Sequence, residues 1–166
     1  MKNYANEEVG FTGCPGCAYA KHEFVLPCGM AYQNNNFTVS QDWELPIVGF
    51  YVVCPTMRHV EYLTELTDEE RNELFTLVNE TIKILKENNV CNCFNIVIQE
   101  KSGVHLHIWI YPQHNWIKEN FGNSMAHILD VFNYSKQNFR TEETYNKIKQ
   151  LNDIVSKALN QKILRK

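Results

Sequence analysis

The feature that most restricts the fold is a run of alternating residues in the second half of the chain. Over residues 104–110, bulky apolar side chains alternate with His105, His107 and Trp109. A period of two is typical of a β-strand, in which residues two apart point to the same face. We therefore predict that the two imidazoles and the indole share one sheet face, while the apolar residues enter a core from the other. Pro112 ends the run because proline cannot donate to a strand ladder.

Two histidines on one strand face leave three explanations open. In the first, the strand is half buried and its outer face carries the histidines by chance, which is the preferred explanation for an isolated His-x-His. In the second the histidines bind a metal, and in the third one of them is a nucleophile. Only residues elsewhere in the chain can favour one explanation over the others.

Composition argues against several classes of protein. The chain has 166 residues, 44% of them apolar, and a formal net charge of −3. These values are typical of one globular domain, and they argue against a disordered chain or a surface that binds nucleic acid through bulk charge. A small nucleotide held by a few hydrogen-bond donors is compatible with them.

The sequence predicts a cytoplasmic protein that does not enter membranes. No stretch approaches the ~18 consecutive apolar residues of a membrane span, and the N-terminus lacks the apolar core of a signal peptide. The cysteines are then expected to stay reduced and to act as core residues or metal ligands. There are six of them: Cys14, Cys17, Cys28, Cys54, Cys91 and Cys93.

A Cys-Pro-Gly-Cys segment at residues 14–17 predicts a tight turn that brings two thiolates together. A redox pair and two unremarkable cysteines are the alternatives. A redox pair usually opens a helix that follows a strand, and nothing before Cys14 has the pattern of a strand. A zinc site needs two further ligands, and histidines are the candidates.

The predicted elements indicate an antiparallel α+β fold. Strands are expected at residues 30–33, 37–40, 48–54 and 93–99, before the histidine strand. Thr67 and Glu70 form a capping-box pattern that opens a helix ending near Asn88. A β meander, one main helix and a β hairpin, in that order, favour an antiparallel sheet of about five strands.

The last third of the chain has helical patterns. Ser124 is expected to cap one helix, and Thr141 to open a final helix with one apolar stripe. Such a stripe packs on its own domain more often than on a partner, and a dimer contact is the alternative. We expect a flexible N-terminus at residues 1–10, a domain at residues 11–115 and a helical extension at residues 116–166 packed on that domain.

Together these features resemble the histidine-triad (HIT) superfamily over roughly residues 11–113. The family signature is His-φ-His-φ-His-φ-φ, often followed by a pair such as Pro-Arg. Setting Pro112 on that proline places His105 on the first histidine, His107 on the second and Trp109 on the third. The resemblance implies a HIT-like antiparallel sheet and, as the family's habit, a homodimer.

The resemblance also implies a reaction. In the family the second histidine attacks the α-phosphate of a nucleotide, and water or another acceptor takes the nucleotidyl group from the nucleotidyl-histidine. His107 would then be the nucleophile, with Ser102 near the leaving group and Asn95 near the phosphates. The implied catalytic set is His107, Ser102 and Trp109, and the implied nucleotide-binding set is Asp42, Asn95, Ser102 and Trp109, with Asp42 at the position of the ribose-binding aspartate.

Two residues depart from the family signature. Trp109 replaces the third histidine, and Gln113 stands where arginine is common. An indole N–H can donate a hydrogen bond to a phosphate oxygen but cannot shuttle a proton. A register that starts at Gly103 ranks lower because it loses the match of Pro112. His114 is a further candidate to reach the phosphate in place of the missing histidine.

The same resemblance implies a structural zinc ion. Family branches with a Cys-x-x-Cys bind zinc through four residues, which here are Cys14, Cys17, His59 and His105. A Cys2His2 set is tetrahedral and closed, so such a Zn²⁺ stabilises the fold and leaves no position for substrate.

Three functions are compatible with these features. The first is a nucleotide hydrolase or nucleotidyltransferase acting at the α-phosphate through a nucleotidyl-histidine. The second is a catalytically weak or inactive nucleotide-binding module, with Trp109 filling part of the pocket. The third is a metal-stabilised scaffold whose C-terminal helices bind a partner protein.

Overall fold

A five-stranded antiparallel sheet carries the histidine strand in the computed structural model of the chain. The structure describes residues 1–21, 23, 26–101, 104–122 and 125–163. The strands are β1 (Tyr32–Gln33), β2 (Phe37–Gln41), β3 (Tyr51–Pro55), β4 (Phe94–Lys101) and β5 (Val104–Pro112), in the spatial order β1-β2-β3-β5-β4. The helices are α1 (Pro15–Ala20), α2 (Asp68–Glu87), α3 (Asn115–Phe121), α4 (Ile128–Asn138) and α5 (Glu142–Ile163). The predicted α+β class is confirmed.

The histidine strand β5 lies between β3 and β4 and pairs with both of them. Leu106, Ile108 and Ile110 are fully buried, as the alternation predicts. They belong to the main core, which α2 and α5 cover. The face with the histidines is therefore the opposite one.

The main helix α2 begins where the sequence predicts. The Thr67 hydroxyl accepts a hydrogen bond from the Glu70 N–H at 3.2 Å, and the Glu70 carboxylate accepts one from the Thr67 N–H at 2.9 Å. This reciprocal pair is a capping box, which satisfies two N–H groups at the helix start. The helix then buries Leu74, Leu77 and Leu85 in the main core.

The C-terminal third contributes to both faces of the sheet. On the main-core face, Leu151, Val155 and Leu159 of α5 pack with α2 and β5. On the histidine face, a second apolar cluster joins β5, α3 and α4; its buried members are Leu45, Ile47, Phe50, Tyr111, Ile117 and Val131. The domain boundary near residue 115 stays a prediction, but these contacts attach the helices directly to the sheet.

Several local features differ from the expectations. Asn3 and Tyr4 are buried, and the Tyr4 N–H donates to the Trp43 carbonyl at 3.1 Å, although a loose N-terminus is expected there. The helices α1 and α3 are not predicted by the sequence patterns. The expected cap at Ser124 lies outside the described residues.

None of the helices in the described part of the chain combines the length and the apolar character that a transmembrane segment requires.

Candidate functional site

Four potential metal ligands converge beside the start of β5. Cys14 and Cys17 lie at the beginning of α1, where Pro15 occupies the first turn. Their Sγ atoms and one ring nitrogen each of His59 and His105 all lie within 4.8 Å of one another. Tetrahedral Zn²⁺ with S and N ligands requires ligand atoms roughly 3.3–3.8 Å apart. The Cys17 Sγ is 3.5 Å from the His105 Nδ1, within that range, and 3.2 Å from the His59 Nδ1, just below it.

The outer nitrogens of the two histidines are held by other groups. The His105 Nε2 donates to the Pro55 carbonyl at 2.8 Å, and the His59 Nε2 lies 3.3 Å from the Glu61 carboxylate. A proton on Nε2 leaves the Nδ1 lone pair directed at the thiols. Such outer hydrogen bonds fix the tautomer and the ring orientation of metal-binding histidines. Burial also lowers the pKa of His105, which favours the neutral ring that a metal needs.

Gly16 allows α1 to approach β5 closely. A Cβ atom added at Gly16 would lie 2.3 Å from the Cβ and 2.5 Å from the Cγ of His105, below the 3.0 Å that real Cβ contacts keep. The Cβ atom of His105 is fixed by the backbone, so no side-chain rotation can relieve its contact with the added atom. The glycine therefore does more than form the turn between the cysteines, because it sets the distance between them and β5.

A cavity of about 310 Å³ opens beside the metal-ligand cluster. His107 and Trp109 line it from β5, Tyr19 lines it from α1, and Asp42 and Trp43 line it from the loop after β2. Small-molecule sites have volumes of about 300–1,000 Å³. The volume is thus sufficient for part of a nucleotide, with the rest extending to solvent.

His107 is held in one tautomer at this cavity. Its Nδ1 donates to the backbone carbonyl of His105 at 2.8 Å, so its Nε2 keeps a lone pair. Burial lowers the pKa of His107, so the ring is neutral at neutral pH. A neutral imidazole with one nitrogen bonded to a carbonyl and the other available is the form that a nucleophilic histidine requires.

Asp42 is a buried carboxylate at the far side of the cavity. It accepts hydrogen bonds from the N–H groups of Glu44 and Leu45, both at 2.9 Å. Burial nevertheless raises the pKa of Asp42 to about 6, since these two bonds and Lys136 only partly offset the desolvation. The nearby Glu44 raises it further. Asp42 therefore lines the cavity, and near pH 6 it is only partly ionised.

Trp109 is fixed by aromatic packing on the histidine face. Its ring centroid lies 5.6 Å from that of Phe50, 5.7 Å from that of Phe132 and 5.8 Å from that of His107. The Phe132 contact comes from α4, outside the expected domain. In the same region, the Lys136 ammonium lies 2.5 Å from the Glu44 carboxylate and links α4 to the cavity loop. No sequence motif pointed to either α4 residue.

Asn95 and His114, also named from the sequence, are not among the described residues that line this cavity. Asn95 is opposite Tyr111 in the sheet, and its amide contacts the Met125 sulfur at 3.1 Å. Gln99, rather than Asn95, is directly opposite His107, which the register of the hairpin decides. The His114 Nε2 donates to the Val48 carbonyl at 2.7 Å, and the ring borders a different cavity. This position argues against His114 as a substitute for the third histidine. Ser102 lies outside the described residues.

The fold matches those of solved histidine-triad proteins, although no family model and no curated protein matches the sequence. A Zn-bound histidine triad family protein from Mycobacterium smegmatis is similar over 92% of this chain and 97% of that chain, with 17% identity and a TM-score of 0.62. A hypothetical histidine triad nucleotide-binding protein from Sulfolobus tokodaii is similar over 89% of this chain and 93% of that one, with 19% identity and a TM-score of 0.61.

A member of the HIT family from Bacillus subtilis is similar over 76% of this chain and 92% of that chain, with 19% identity and a TM-score of 0.56. The chain therefore has the histidine-triad fold, and the resemblance drawn from its residues is confirmed at the level of fold. The homodimer and the cytoplasmic location stay predictions.

Replacing Gly16 should disturb the metal-ligand cluster. In Gly16→Ala the new methyl group would overlap His105, so α1 must move away from β5, and overpacking of this kind costs about 1–3 kcal/mol. We expect a lower free energy of unfolding in urea and less metal retained on purification. Gly10→Ala is the control, because nothing lies within 4 Å of a Cβ there. Equal stability and metal content in the two variants would contradict the close packing.

Asp42 should make stability fall with rising pH in a defined window. Its pKa is about 6 in the folded chain against an ordinary value of 3.8. Below pH 3.8 both states keep the proton; above it the unfolded state loses its proton first, so stability falls until pH passes about 6. Asp42→Asn should remove this fall, which is about 3 kcal/mol at most. Unfolding free energies of both proteins, measured between about pH 4 and about pH 7, test this. If the unfolding free energies of the native chain and of Asp42→Asn changed with pH in the same way, the raised pKa of Asp42 would be contradicted.

Proposed function

We propose that the chain is a nucleotide hydrolase or nucleotidyltransferase that acts at an α-phosphate through a nucleotidyl-His107 intermediate. The observation that carries the proposal is the state of His107. Its Nδ1 is bonded to a carbonyl of its own strand, its ring is neutral, and it lines an open cavity. The histidine-triad fold supports the assignment, as does the nucleotide-binding description of the similar Sulfolobus tokodaii protein.

In the first step, the Nε2 lone pair of His107 attacks the α-phosphorus. The Nε2–P bond forms while the bond from phosphorus to the leaving oxygen or nitrogen breaks, and the leaving group keeps the electron pair. Positive charge develops on the imidazole. The hydrogen bond from Nδ1 to the His105 carbonyl stabilises that charge without any movement of the ring.

In the second step, water attacks the same phosphorus. The Nε2–P bond breaks, its electron pair returns to Nε2, and the water proton passes to solvent, which leaves a nucleoside monophosphate. Another hydroxyl or phosphate acceptor in place of water gives nucleotidyl transfer. The His107 ring ends in the tautomer in which it began, so it is ready for the next turnover.

The remaining roles follow from the position of Asp42 and Trp109 at the cavity and, for Ser102, from the family resemblance alone. Asp42 accepts a hydrogen bond from a ribose hydroxyl, most strongly in its carboxylate form. The Trp109 indole N–H donates to an oxygen of the nucleotide, and the hydroxyl of Ser102, a residue outside the described ranges, is assigned the same role. Asn95, which contacts Met125, would need to rotate to reach the phosphates, and Gln99 opposite His107 is better placed.

We propose Zn²⁺ as a structural ion bound by Cys14, Cys17, His59 and His105. The convergence of four ligand atoms and the tautomers of both histidines support it, and the similar Mycobacterium smegmatis protein is Zn-bound. When bound, a closed Cys2His2 zinc supplies folding free energy rather than a catalytic position. The backbone carbonyl of His105 then orients His107, two residues further along β5, by accepting the hydrogen bond from its Nδ1.

Removing one thiol should remove the metal. In Cys17→Ser we expect loss of stoichiometric zinc and a drop in melting temperature of about 10 °C or more, since a lost structural ion costs at least about 3 kcal/mol. Elemental analysis and thermal unfolding measure both quantities. Cys93→Ser is the matched control, because Cys93 is exposed and lies away from the cluster. Full zinc in Cys17→Ser would contradict the ligand set.

A nucleotide-binding module without catalysis is the second candidate function. It is favoured by one observation, the replacement of the third histidine by Trp109, whose ring is fixed between Phe50 and Phe132. A pure binder would shift its melting temperature with mononucleotides but would form no covalent adduct.

Replacing His107 should abolish turnover and leave the fold intact. We expect His107→Ala to lose a factor on the order of a thousand or more in rate, while zinc content and melting temperature stay close to those of the native protein. Denaturing gels after incubation with radiolabelled nucleotide should show an acid-labile adduct on the native chain alone.

The matched control is His127→Ala, since the side chain of His127 is 54% exposed and lies on the turn before α4. An adduct or unchanged turnover in His107→Ala would reject His107 as the nucleophile. Nucleotide binding by a native chain that never forms an adduct would favour the binding module.

A further inference from the structure

We propose that the site favours, by at least about a hundredfold in rate, substrates whose leaving group departs without taking a proton. These are nucleotidyl anhydrides, in which the α-phosphorus is joined to a phosphate or a carboxylate. Nucleoside phosphoramidates and alkyl esters of nucleotides are the disfavoured substrates. The inference rests on the proposed function, and it concerns the residue that stands beside the nucleophile.

The residue beside the nucleophile cannot act as an acid. Trp109 lies two residues after His107 on the same face of β5, with a centroid separation of 5.8 Å. Phe50 and Phe132 hold its ring on two sides, so the indole cannot exchange places with another group. An indole N–H donates a hydrogen bond but does not release its proton near neutral pH, and the nitrogen has no lone pair to accept one.

Two ionisable groups on the sheet wall of the cavity, on β5 and β3, already have other partners. His105 uses Nε2 for the Pro55 carbonyl and faces the two thiols with Nδ1. Cys54 is buried, and its thiol lies 3.4 Å from the Pro55 carbonyl oxygen and 3.7 Å from the Leu106 carbonyl oxygen. Neither can deliver a proton to a group leaving from phosphorus at His107.

The ionisable groups on the other walls are bonded elsewhere. The Tyr19 hydroxyl is hydrogen-bonded to Ser40, and burial raises its pKa. The Glu44 carboxylate is paired with Lys136. The ammonium group of Met1 donates to the Val9 carbonyl at 3.1 Å and is paired with the Glu8 carboxylate at 3.6 Å.

Asp42 is the remaining carboxyl, and the sheet keeps it away from the reaction. It follows β2, which β3 separates from β5, so it lies roughly two strand spacings, about 10 Å, from the strand of His107. Ser102, expected near the leaving group, has a hydroxyl that can donate a hydrogen bond but is not an acid at neutral pH. Across the described part of the cavity, no side chain is therefore placed as a general acid.

This arrangement selects the leaving group by its basicity. When Nε2 bonds to phosphorus, the breaking bond leaves its electron pair on the departing atom. A phosphate or carboxylate oxygen is stable with that pair at neutral pH, whereas an amine or an alkoxide must gain a proton as it departs. General acid catalysis contributes a factor of about 10²–10⁴ in rate. Substrates with an amine or alkoxide leaving group are expected to react more slowly by that factor.

The test compares leaving groups on one nucleoside. Turnover by the zinc-loaded full chain is measured with derivatives of adenosine 5′-phosphate that differ only in the leaving group. The leaving groups are phosphate, acetate, ammonia and a series of phenols of graded pKa. We expect anhydride turnover at least about a hundredfold faster than phosphoramidate turnover, and a steep decline of rate with increasing phenol pKa. Trp109→His should raise phosphoramidate turnover by about a hundredfold and flatten the decline.

Trp109→Phe is the matched variant, because it keeps an aromatic ring between Phe50 and Phe132 but donates nothing. It should retain the steep dependence on phenol pKa whatever its absolute rate. The slope measured on the native chain alone keeps the inference testable if either variant fails to fold.

The outcomes separate the two proposals. A native chain that hydrolyses the phosphoramidate within about tenfold of the anhydrides, or that shows a flat slope, has a proton donor at the site; this overturns the inference and leaves the nucleotidyl-histidine mechanism standing. A native chain that forms no adduct and turns over none of these substrates overturns the proposed function and the inference with it.

Discussion

The arrangement of the site depends on the contact between α1 and the start of β5. Gly16 lets the two backbones approach until a methyl group would no longer fit, and this places the cysteine pair against His105. His105 then acts through two different groups. Its ring faces the thiols, and its carbonyl accepts the Nδ1 proton of His107. His105 thus connects the metal-ligand cluster with the proposed nucleophile, His107. A displacement of α1 would therefore change the position of the metal ligands and of His107.

The two faces of β5 have separate physical roles. Leu106, Ile108 and Ile110 are buried under α2 and α5, and this burial fixes the register of the strand, since a shift of one residue would exchange its faces. The opposite face can carry polar groups because the side chains of β5 that contribute to the main core are all on the first face. His107 itself is only partly buried, so desolvation lowers its pKa while the ring remains open to a cavity.

The C-terminal helices change the character of that cavity. Phe132 of α4 packs on Trp109, and Lys136 of the same helix pairs with Glu44 in the loop that follows β2. Trp109 lies two residues after the proposed nucleophile, His107, on the same face of β5. Here it is enclosed by aromatic rings, so its indole serves as a wall with one hydrogen-bond donor. The substitution and the helix that supports it therefore have to be considered together.

The sequence alone determined the features that depend on local periodicity and spacing. Alternation over residues 104–110 identified β5 and its two faces, Thr67 and Glu70 identified the start of α2, and the Cys-x-x-Cys identified half of the ligand cluster. Only the tertiary structure decided which distant residues meet. The position of Gln99 opposite His107 follows from the hairpin register, and the contacts of Phe132 and Lys136 follow from how α4 docks on the sheet. Such contacts join residues far apart in the chain, and no local pattern records them because they depend on packing between elements rather than on the sequence of either one.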